Sequence, residues 1–361
     1  MKFGQFNLMT LPGPESSQAE VIDTTLDLVR QAEQLDFDIA WFAEHHFSNY
    51  SMCVAPLMMA ARAAGVTERI RLGPAILVLP LYHPVRVVEE TVFFDQVAGG
   101  RSVIGLGSGY QAYEFDGFGL DIADKLEQTH EIWDLLEQAI DSGELGYQGK
   151  HVKIPPRPMC VSLAQPRLPE VFVAGTNPSL VERVARGGHT SFISAGFQGL
   201  EKMKDLRAQV DQGHRNVGLD PDGARVAIHR YIFITEDKAE ALKAAECVRF
   251  IARTIANMVQ GEPVMNGPFI DPRPFDGEPP LEQILANVNI GDAETVAEKM
   301  AAEIRACRPY HYSCFFAFGP LEGSLALRSL ERFGSQVLPL LEREFGDLAA
   351  LNEPGAAAAA Q

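Results

Sequence analysis

The chain has 361 residues, 46% of them hydrophobic and 22% charged, which is the composition of a folded globular protein and excludes a disordered one. Its formal net charge of −17 disfavours nucleic acid and anionic membrane surfaces as partners, because both attract clustered Lys and Arg. The five cysteines show no CxxC or Cys/His spacing, which favours buried free thiols over a disulfide framework or a zinc site. Since no leader pattern or bilayer-length apolar run is present, we expect a cytoplasmic protein.

Short β-strand patterns alternate with longer amphipathic helical patterns from end to end. The predicted strands are 2–8, 39–42, 71–78, 102–106, 170–174, 190–194, 227–234 and 312–317. The predicted helices are 18–35, 56–64, 85–98, 125–140, 178–186, 200–212, 238–257, 293–305 and 321–343. Eight strands alternating with helices favour a closed (β/α)8 TIM barrel of the α/β class. A doubly wound open sheet is the alternative, but it usually has fewer strands and a dinucleotide-binding loop.

Two proline-rich stretches interrupt this alternation. Residues 146–169 are predicted to be an extended connection, and residues 261–280 hold six prolines together with Phe269 and Phe275. A loop as long as the second is commonly functional, so we predict a lid; a rigid surface loop and a domain boundary are the alternatives. We expect one domain over residues 1–345 and a disordered tail over 346–361.

A run of polar residues that suggests a reaction site, Glu44-His45-His46, ends the apolar strand pattern 39–42. Successive side chains of an extended chain point to opposite faces, so Glu44 and His46 should face one way and His45 the other. That geometry argues against one metal ion bound by all three. It leaves proton chemistry or ligand contact, with a purely structural histidine cluster as the alternative.

A glycine cluster at the end of another strand, Gly105 to Gly109, fits a dinucleotide-binding loop only loosely. It indicates a close backbone approach, either to a ligand or to a neighbouring turn.

Several motifs occur together in one order: Met1-Lys2-Phe3-Gly4, Trp41 to Phe47, Leu79-Pro80, His83-Pro84-Val85-Arg86, Asp95-Gln96, Gly100-Arg101 and Phe118-Gly119. This set resembles the bacterial luciferase family of flavin-dependent monooxygenases, in particular the luciferase alpha subunit. The resemblance is densest before residue 121. It implies a (β/α)8 barrel that binds reduced FMN at the carboxyl ends of the strands, receives that flavin from a separate reductase, and oxygenates an organic substrate through a C4a-peroxyflavin.

The resemblance also implies the site residues. His45 matches the catalytic histidine, a residue type suited to proton exchange near neutral pH. Glu44 is implied near the flavin, with an internal ion pair to Arg86 or Arg101 as the alternative. A non-proline cis peptide of the family falls on Ala75-Ile76. The implied cofactor-binding residues are Glu44, Ala75, Ile76, Gly107, Ser108, Tyr110, Ala174, Gly175, Thr176, Ser179 and Ser194.

The chain departs from the luciferase alpha subunit at the expected flavin phosphate. Gly107 and Ser108 stand where that subunit has cysteine and arginine, and Gly175 replaces a glutamate. We expect backbone N–H groups at the start of the helix near Pro178, with the Thr176 and Ser179 hydroxyls, to hold the phosphate instead. A simple capped helix is the alternative. Lys125 stands close to the sequence position at which the family has another phosphate-contacting arginine.

The leading functional hypothesis is therefore a two-component FMN-dependent monooxygenase, expected to be a homodimer, that acts on a small apolar aldehyde, ketone or polyketide-like substrate. A deazaflavin (F420)-dependent dehydrogenase of the same superfamily is the second hypothesis. A non-catalytic flavin-binding protein is the third, although the known non-catalytic relatives lack part of the barrel.

Overall fold

Parallel strands and helices alternate along the chain in the computed structural model, which describes residues 1–259 and 263–352. The strands are β1 (Lys2–Asn7), β2 (Ile39–Phe42), β3 (Arg71–Pro74), β4 (Leu77–Val78), β5 (Ile104–Gly107), β6 (Glu144–Gln148), β7 (Lys153–Pro158), β8 (Val171–Ala174), β9 (Thr190–Ser194), β10 (Arg225–Ile234), β11 (Met265–Asn266), β12 (Phe269–Ile270), β13 (Asn289–Gly291) and β14 (His311–Ala317). The helices are α1 (Gln18–Gln34), α2 (Pro56–Ala64), α3 (Pro84–Val97), α4 (Ala112–Gly117), α5 (Lys125–Ser142), α6 (Pro178–Gly187), α7 (Leu200–Asn216), α8 (Lys238–Val259), α9 (Leu281–Asn287), α10 (Ala293–Cys307), α11 (Gly323–Arg332) and α12 (Leu338–Phe345).

The central sheet is parallel and curls into a barrel in the order β3-β2-β1-β14-β10-β9-β8-β5-β4. Its two ends, β3 and β4, are consecutive pieces of one chain segment, and a bridge between Leu72 and Ser102 joins that segment to the approach to β5. The predicted (β/α)8 barrel is thereby confirmed. The predicted third strand, 71–78, is divided at the peptide between Ala75 and Ile76, which is cis.

Aromatic side chains fill the amino-terminal part of the barrel. Trp41 packs edge-to-face on Phe172 and donates its indole N–H to Nε2 of His311 at 3.0 Å. A side chain at Gly4 would meet both rings, since its Cβ would lie 2.4 Å from His311 Nε2, so glycine leaves room for this contact. This packing fills the interior of the barrel at its amino-terminal part, whereas a cavity opens at the carboxyl ends of the strands.

Elements outside the barrel differ from the sequence predictions. The stretch predicted as an extended connection contains the antiparallel hairpin β6–β7, and the predicted last helix is broken by a π-helical turn at Phe333–Val337. Helices α4 and α9 were not predicted. Both are short, so each presents too little periodicity to be separated from loop.

The structure describes only part of the predicted lid, 261–280, and of the predicted tail, 346–361. Residues 263–280 include the small hairpin β11–β12, which is tied to the barrel where the Asn49 side chain accepts from Ile270 N at 2.9 Å. Residues 261 and 262 of the predicted lid lie outside the described residues. Of the predicted tail, residues 346–352 pack against the chain start, where the Met1 amino group donates to Leu348 O at 2.6 Å. Residues 353–361 lie outside the description. Within the described residues, no helix has the length and apolar character needed to cross a membrane.

Candidate active site

A cavity of about 380 Å³ opens at the carboxyl ends of the barrel strands. Its walls are mainly aromatic and aliphatic, which is typical of a site for an organic ligand. Most of the residues expected from the sequence line it, namely Glu44, His45, Ala75, Ile76, Ser108, Tyr110, Ala174, Gly175 and Ser194. Gly107, Thr176 and Ser179 do not line it.

His45 is held by a buried carboxylate. Its Nδ1 lies 3.0 Å from Oε1 of Glu114, and the same oxygen accepts from the backbone N–H of His46 at 2.8 Å. Since an ionised carboxylate only accepts, the contact with Glu114 selects the tautomer of neutral His45 that has its proton on Nδ1 and its lone pair on Nε2. Nε2 has no partner among the described residues, and both side chains line the cavity. The pair has the His–carboxylate arrangement that fixes a tautomer for proton transfer.

Glu114 was missed by the sequence predictions. It lies on the short helix α4, far in sequence from His45, and only the closure of the barrel brings the two together. The sequence offers one faint signal for this region: the polar residues Tyr110 and Gln111 follow the glycine cluster directly and stand just before α4. The Gln111 amide nitrogen lies 3.1 Å from Tyr110 Oη and 3.3 Å from His45 Nδ1.

Glu44 makes three hydrogen bonds inside the protein. It accepts from Tyr82 Oη at 2.8 Å and from Val78 N at 3.1 Å, and it pairs with His46 Nε2 at 3.0 Å. Burial, followed by the negative charge of Glu44, raises the pKa of the Tyr82 phenol. The alternative ion pair of Glu44 with Arg86 or Arg101 is wrong.

Those two arginines have other partners: Arg86 pairs with Glu90, and Arg101 donates to Thr67 and to backbone carbonyls.

The two histidines face different cavities, as strand alternation predicts. His45 lines the cavity at the barrel mouth, whereas His46 lines a groove beside helices α2 and α3 that is walled by Met58, Phe93 and Phe118. Glu44 borders both spaces. The Glu44 side chain therefore lies between the cavity and the groove.

Close packing explains the glycine cluster. A Cβ on Gly105 would lie 2.0 Å from the backbone oxygen of Pro74, and one on Gly107 would lie 2.0 Å from the side chain of Ile76. The cluster thus makes room for the segment around the cis peptide, and Ala75 and Ile76 line the cavity as a result. Gly107 supports the wall and does not contact the space itself.

The expected phosphate end combines a capped helix with nearby polar groups. The Asn177 side chain accepts from Ser179 N at 3.1 Å, so α6 is capped. Ser179 is exposed and its hydroxyl lies 3.1 Å from His130 Nε2. Gly175 has φ +98° with open space where a side chain would stand, and Lys125 Nζ donates to Gly109 O at 2.9 Å. Burial lowers the pKa of Lys125.

A second histidine in the cavity, His229 on β10, was not predicted. Its ring lies against Phe6, with centroids 4.3 Å apart, and its Nδ1 lies 3.2 Å from Oγ of Ser313. Burial, and next the neighbouring Arg230 charge, lower the pKa of His229 to about 3. The pattern of β10 reads as an ordinary buried strand, so nothing local singles this residue out.

Comparison with known proteins places the chain among flavin enzymes. Residues 1–307 match the luciferase-like monooxygenase family. A protein of Sinorhizobium fredii named y4vJ is 31% identical over 347 residues, covering 96% of this chain and 99% of that one. An alkanal monooxygenase alpha chain from the Kryptophanaron alfredi symbiont is 29% identical over 257 residues, 70% of each chain. The oxygenase component of a flavin-dependent trigonelline monooxygenase from Acinetobacter baylyi is 22% identical over 353 residues, 94% of this chain and 95% of that one.

Solved structures share the fold. The monooxygenase RslO1 from Streptomyces bottropensis superposes with a TM-score of 0.80 at 20% identity, over 94% of this chain and 99% of that one. The oxygenating constituent of 3,6-diketocamphane monooxygenase from Pseudomonas putida, a type II Baeyer–Villiger monooxygenase in complex with FMN, gives 0.76 at 20% identity, over 94% and 98%. The coenzyme F420-dependent tetrahydromethanopterin reductase from Methanopyrus kandleri gives 0.67 at 19% identity, over 94% and 98%.

Proposed function

Because the chain belongs to the luciferase-like monooxygenase family and is a flavin-dependent oxidoreductase, we propose that it is the oxygenase of a two-component FMN-dependent system. It receives reduced FMN from a separate reductase and uses O2 to oxygenate a small apolar aldehyde, ketone or polyketide-like compound. The observation that carries this proposal is the His45–Glu114 pair, which presents an unpaired Nε2 to an aromatic cavity. Proton transfer in a water-poor space is what an oxygenation needs from the protein.

The residues present fit a flavin. The cavity has an apolar wall at Ala75 and Ile76. Glycine at 105 and at 107 leaves this wall in place, since a Cβ at Gly105 would lie 2.0 Å from Pro74 O and one at Gly107 would lie 2.0 Å from the Ile76 side chain. At the other end, open space at Gly175 lies next to the start of α6, where the helix dipole favours a phosphate. Lys125, Thr176 and Ser179 would supply the remaining polar contacts and replace the arginine of the luciferase alpha subunit.

When bound, reduced FMN supplies the electrons with which O2 is activated. The protein supplies the proton relay and the enclosure. His45 holds a lone pair at Nε2 that accepts a proton from the reacting oxygen and returns it, while Glu114 keeps the ring in one tautomer. Tyr50 and Tyr110 pack against the His45 ring, with centroids 4.5 Å and 6.0 Å away, and limit the access of water to that atom.

Anaerobic titrations test the proposal. We expect the protein to bind reduced FMN more tightly than oxidised FMN, to bind FMN more tightly than riboflavin, and to leave NADH unoxidised when no reductase is added. The reduced deazaflavin F420 is titrated in parallel, because fold neighbours include enzymes that depend on it. Selective binding of the deazaflavin would replace this proposal with the dehydrogenase.

We also propose that two copies of the chain associate through the groove beside α2 and α3. Large apolar side chains are exposed there, notably Met58 at 74% and Phe93 at 57%. Val54, Val97 and Phe118 extend the same surface. An exposed apolar patch of this kind marks an interaction surface, and a two-fold dimer would cover it by bringing together the same patch of both copies.

A further inference from the structure

The side chain of His229 is fixed by residues in register on the neighbouring strands. In the parallel sheet, His229 pairs with Ser194 of β9 on one side and with Ser313 of β14 on the other. Residues in register on adjacent strands point to the same face, which here is the inside of the barrel. The Ser313 hydroxyl lies 3.2 Å from His229 Nδ1.

The hydrogen bond to Ser313 decides which nitrogen carries the proton. Ser313 is fully buried, and among the described residues its hydroxyl has no partner other than His229. Most buried hydroxyls donate to an acceptor, and Nδ1 is the acceptor that the Ser313 hydroxyl reaches among the described residues, so we assign Ser313 as the donor to Nδ1. The ring proton of the neutral histidine is then on Nε2, and Nε2 is a donor.

That donor has no acceptor among the residues that the structure describes. His229 Nε2 makes no hydrogen bond with a described residue, and the ring borders the cavity while keeping some exposure to it. Aromatic rings confine it on the other sides, with Phe315 5.5 Å and Phe192 6.2 Å away between centroids. A neutral N–H donor surrounded by aromatic rings favours a neutral acceptor such as a carbonyl oxygen. A carboxylate would lose its hydration beside these rings without gaining a charged partner.

We propose that His229 is a recognition residue that donates its Nε2–H to a carbonyl oxygen of the molecule in the cavity. This inference rests on the proposed function for the identity of that molecule: the oxygen belongs either to a ring carbonyl of the flavin or to a ketone or aldehyde substrate. Ser313 is the positioning residue that keeps the proton on Nε2. The histidine stays uncharged over the working pH range, because burial lowers its pKa to about 3.

The test uses three variants and two kinds of ligand. His229→Phe keeps an aromatic ring without the donor, His229→Gln keeps an N–H donor at about the same reach as Nε2, and Ser313→Ala removes the hydroxyl that fixes the tautomer. The ligands are reduced FMN, titrated anaerobically, and cyclohexanone against methylenecyclohexane, which has the same shape without the oxygen. Thermal melting and circular dichroism confirm that each variant folds.

We expect His229→Phe to weaken binding of one carbonyl ligand by roughly 3- to 10-fold, the range for one net hydrogen bond, and to leave methylenecyclohexane unchanged. A loss confined to reduced FMN identifies a flavin carbonyl, and a loss confined to cyclohexanone identifies the substrate carbonyl. His229→Gln should recover most of the affinity. Nitrogen-15 histidine spectra should show a neutral His229 protonated at Nε2, with a signal that moves on ligand addition and that Ser313→Ala broadens into two tautomers.

The proposal is overturned if His229 is protonated at Nδ1, or if His229→Phe binds reduced FMN and cyclohexanone as the wild type does. Failure of the proposed function would look different. In that case wild-type protein would bind no reduced flavin, whereas the tautomer and the preference for cyclohexanone, both measured without flavin, would still decide the role of His229.

Discussion

At the scale of single residues, the contact between His45 and Glu114 assigns different tasks to neighbouring polar groups. Glu114 orients His45 toward the cavity, whereas Glu44 is occupied by His46, Tyr82 and Val78. The carboxylate beside the histidine pair in sequence is thus not the one that serves His45. Catalytic roles should follow the contacts and not the order in the motif.

We expect His45→Ala to lower product formation by at least ~100-fold, the scale for deleting a general acid or base, and to leave binding of reduced FMN intact. Glu114→Gln should give a smaller loss, since the amide no longer enforces the tautomer but keeps the shape. His46→Ala is the matched control, because that ring faces the groove. The measurement is turnover with reductase in excess, with melting curves for each variant. Equal losses for His45→Ala and His46→Ala would refute the assignment.

Buried neutral histidines also predict how stability depends on pH. The pKa values of His229 and His311 fall to about 3, in each case first through burial. The unfolded chain takes up these protons below about pH 6.5, while the folded protein does not. The contribution of these two neutral histidines to the free energy of unfolding is therefore fully present above about pH 6.5, and it is lost as the pH falls toward 3.

Replacing His229 by Phe removes one of these groups. We expect the variant to lose about 1 kcal/mol less stability than the wild type between pH 7 and 5.5, where one such histidine titrates in the unfolded chain. Urea unfolding at a series of pH values measures this. Parallel curves for the two proteins would show that His229 is protonated in the folded state.

At the scale of elements, the segment before α9 has the position and attachments to act on the cavity indirectly. The backbone of Asn49 donates to Pro268 O at 2.8 Å, and its side chain accepts from Ile270, so the hairpin β11–β12 is joined to the loop that carries Tyr50 into the cavity. Arg253 of α8 pairs with Glu278 at 2.6 Å. No described residue of 263–280 lines the cavity itself. The predicted lid role stays a prediction.

Exchange of residues 261–280 for a short Gly/Ser linker tests that role. We expect the affinity for reduced FMN to stay within a few-fold while oxygen is diverted from product to hydrogen peroxide, because water reaches the reaction space. The control replaces residues 149–151, the turn of hairpin β6–β7, which does not line the cavity. The ratio of product to peroxide is the measurement, and an unchanged ratio would identify the segment as scaffold.

At the scale of the whole molecule, two surfaces lie on different sides of the barrel, and we propose a different task for each. The carboxyl ends of the strands surround the cavity, and the faces of α2 and α3 expose the apolar groove on the side. Glu44 and His46 lie between these surfaces. A change in the groove that moved His46 would act on Glu44, which it contacts and which also lines the cavity.

Exposed apolar side chains in the groove should support the proposed dimer. We expect the double variant Met58→Glu, Phe93→Glu to shift the protein from dimer to monomer in light scattering after size exclusion, because charges at both positions would face each other across the interface. Leu219→Glu is the matched control, since Leu219 is also exposed, at 44%, but lies outside the groove. A wild type that is monomeric at micromolar concentration would contradict the interface.

The sequence determined whatever depends on local periodicity and on motifs. The alternation of strands and helices gave the barrel, and the motif around Trp41 to Phe47 gave His45 and its separation from His46. These features follow from side chains a few residues apart, whose directions are set by the strand or helix they occupy.

Only the tertiary structure decided which distant groups meet. Glu114 reaches His45 because the curled sheet brings helix α4, which follows β5, next to the segment that follows β2. Ser313 reaches His229 because β14 pairs directly with β10, although the two residues are 84 positions apart in the sequence. No local pattern encodes such pairs, since each depends on the register of the whole sheet. The curved sheet also brings Tyr82 to Glu44. The ion pair of Glu44 with Arg86 or Arg101, an alternative based on charge alone, does not form.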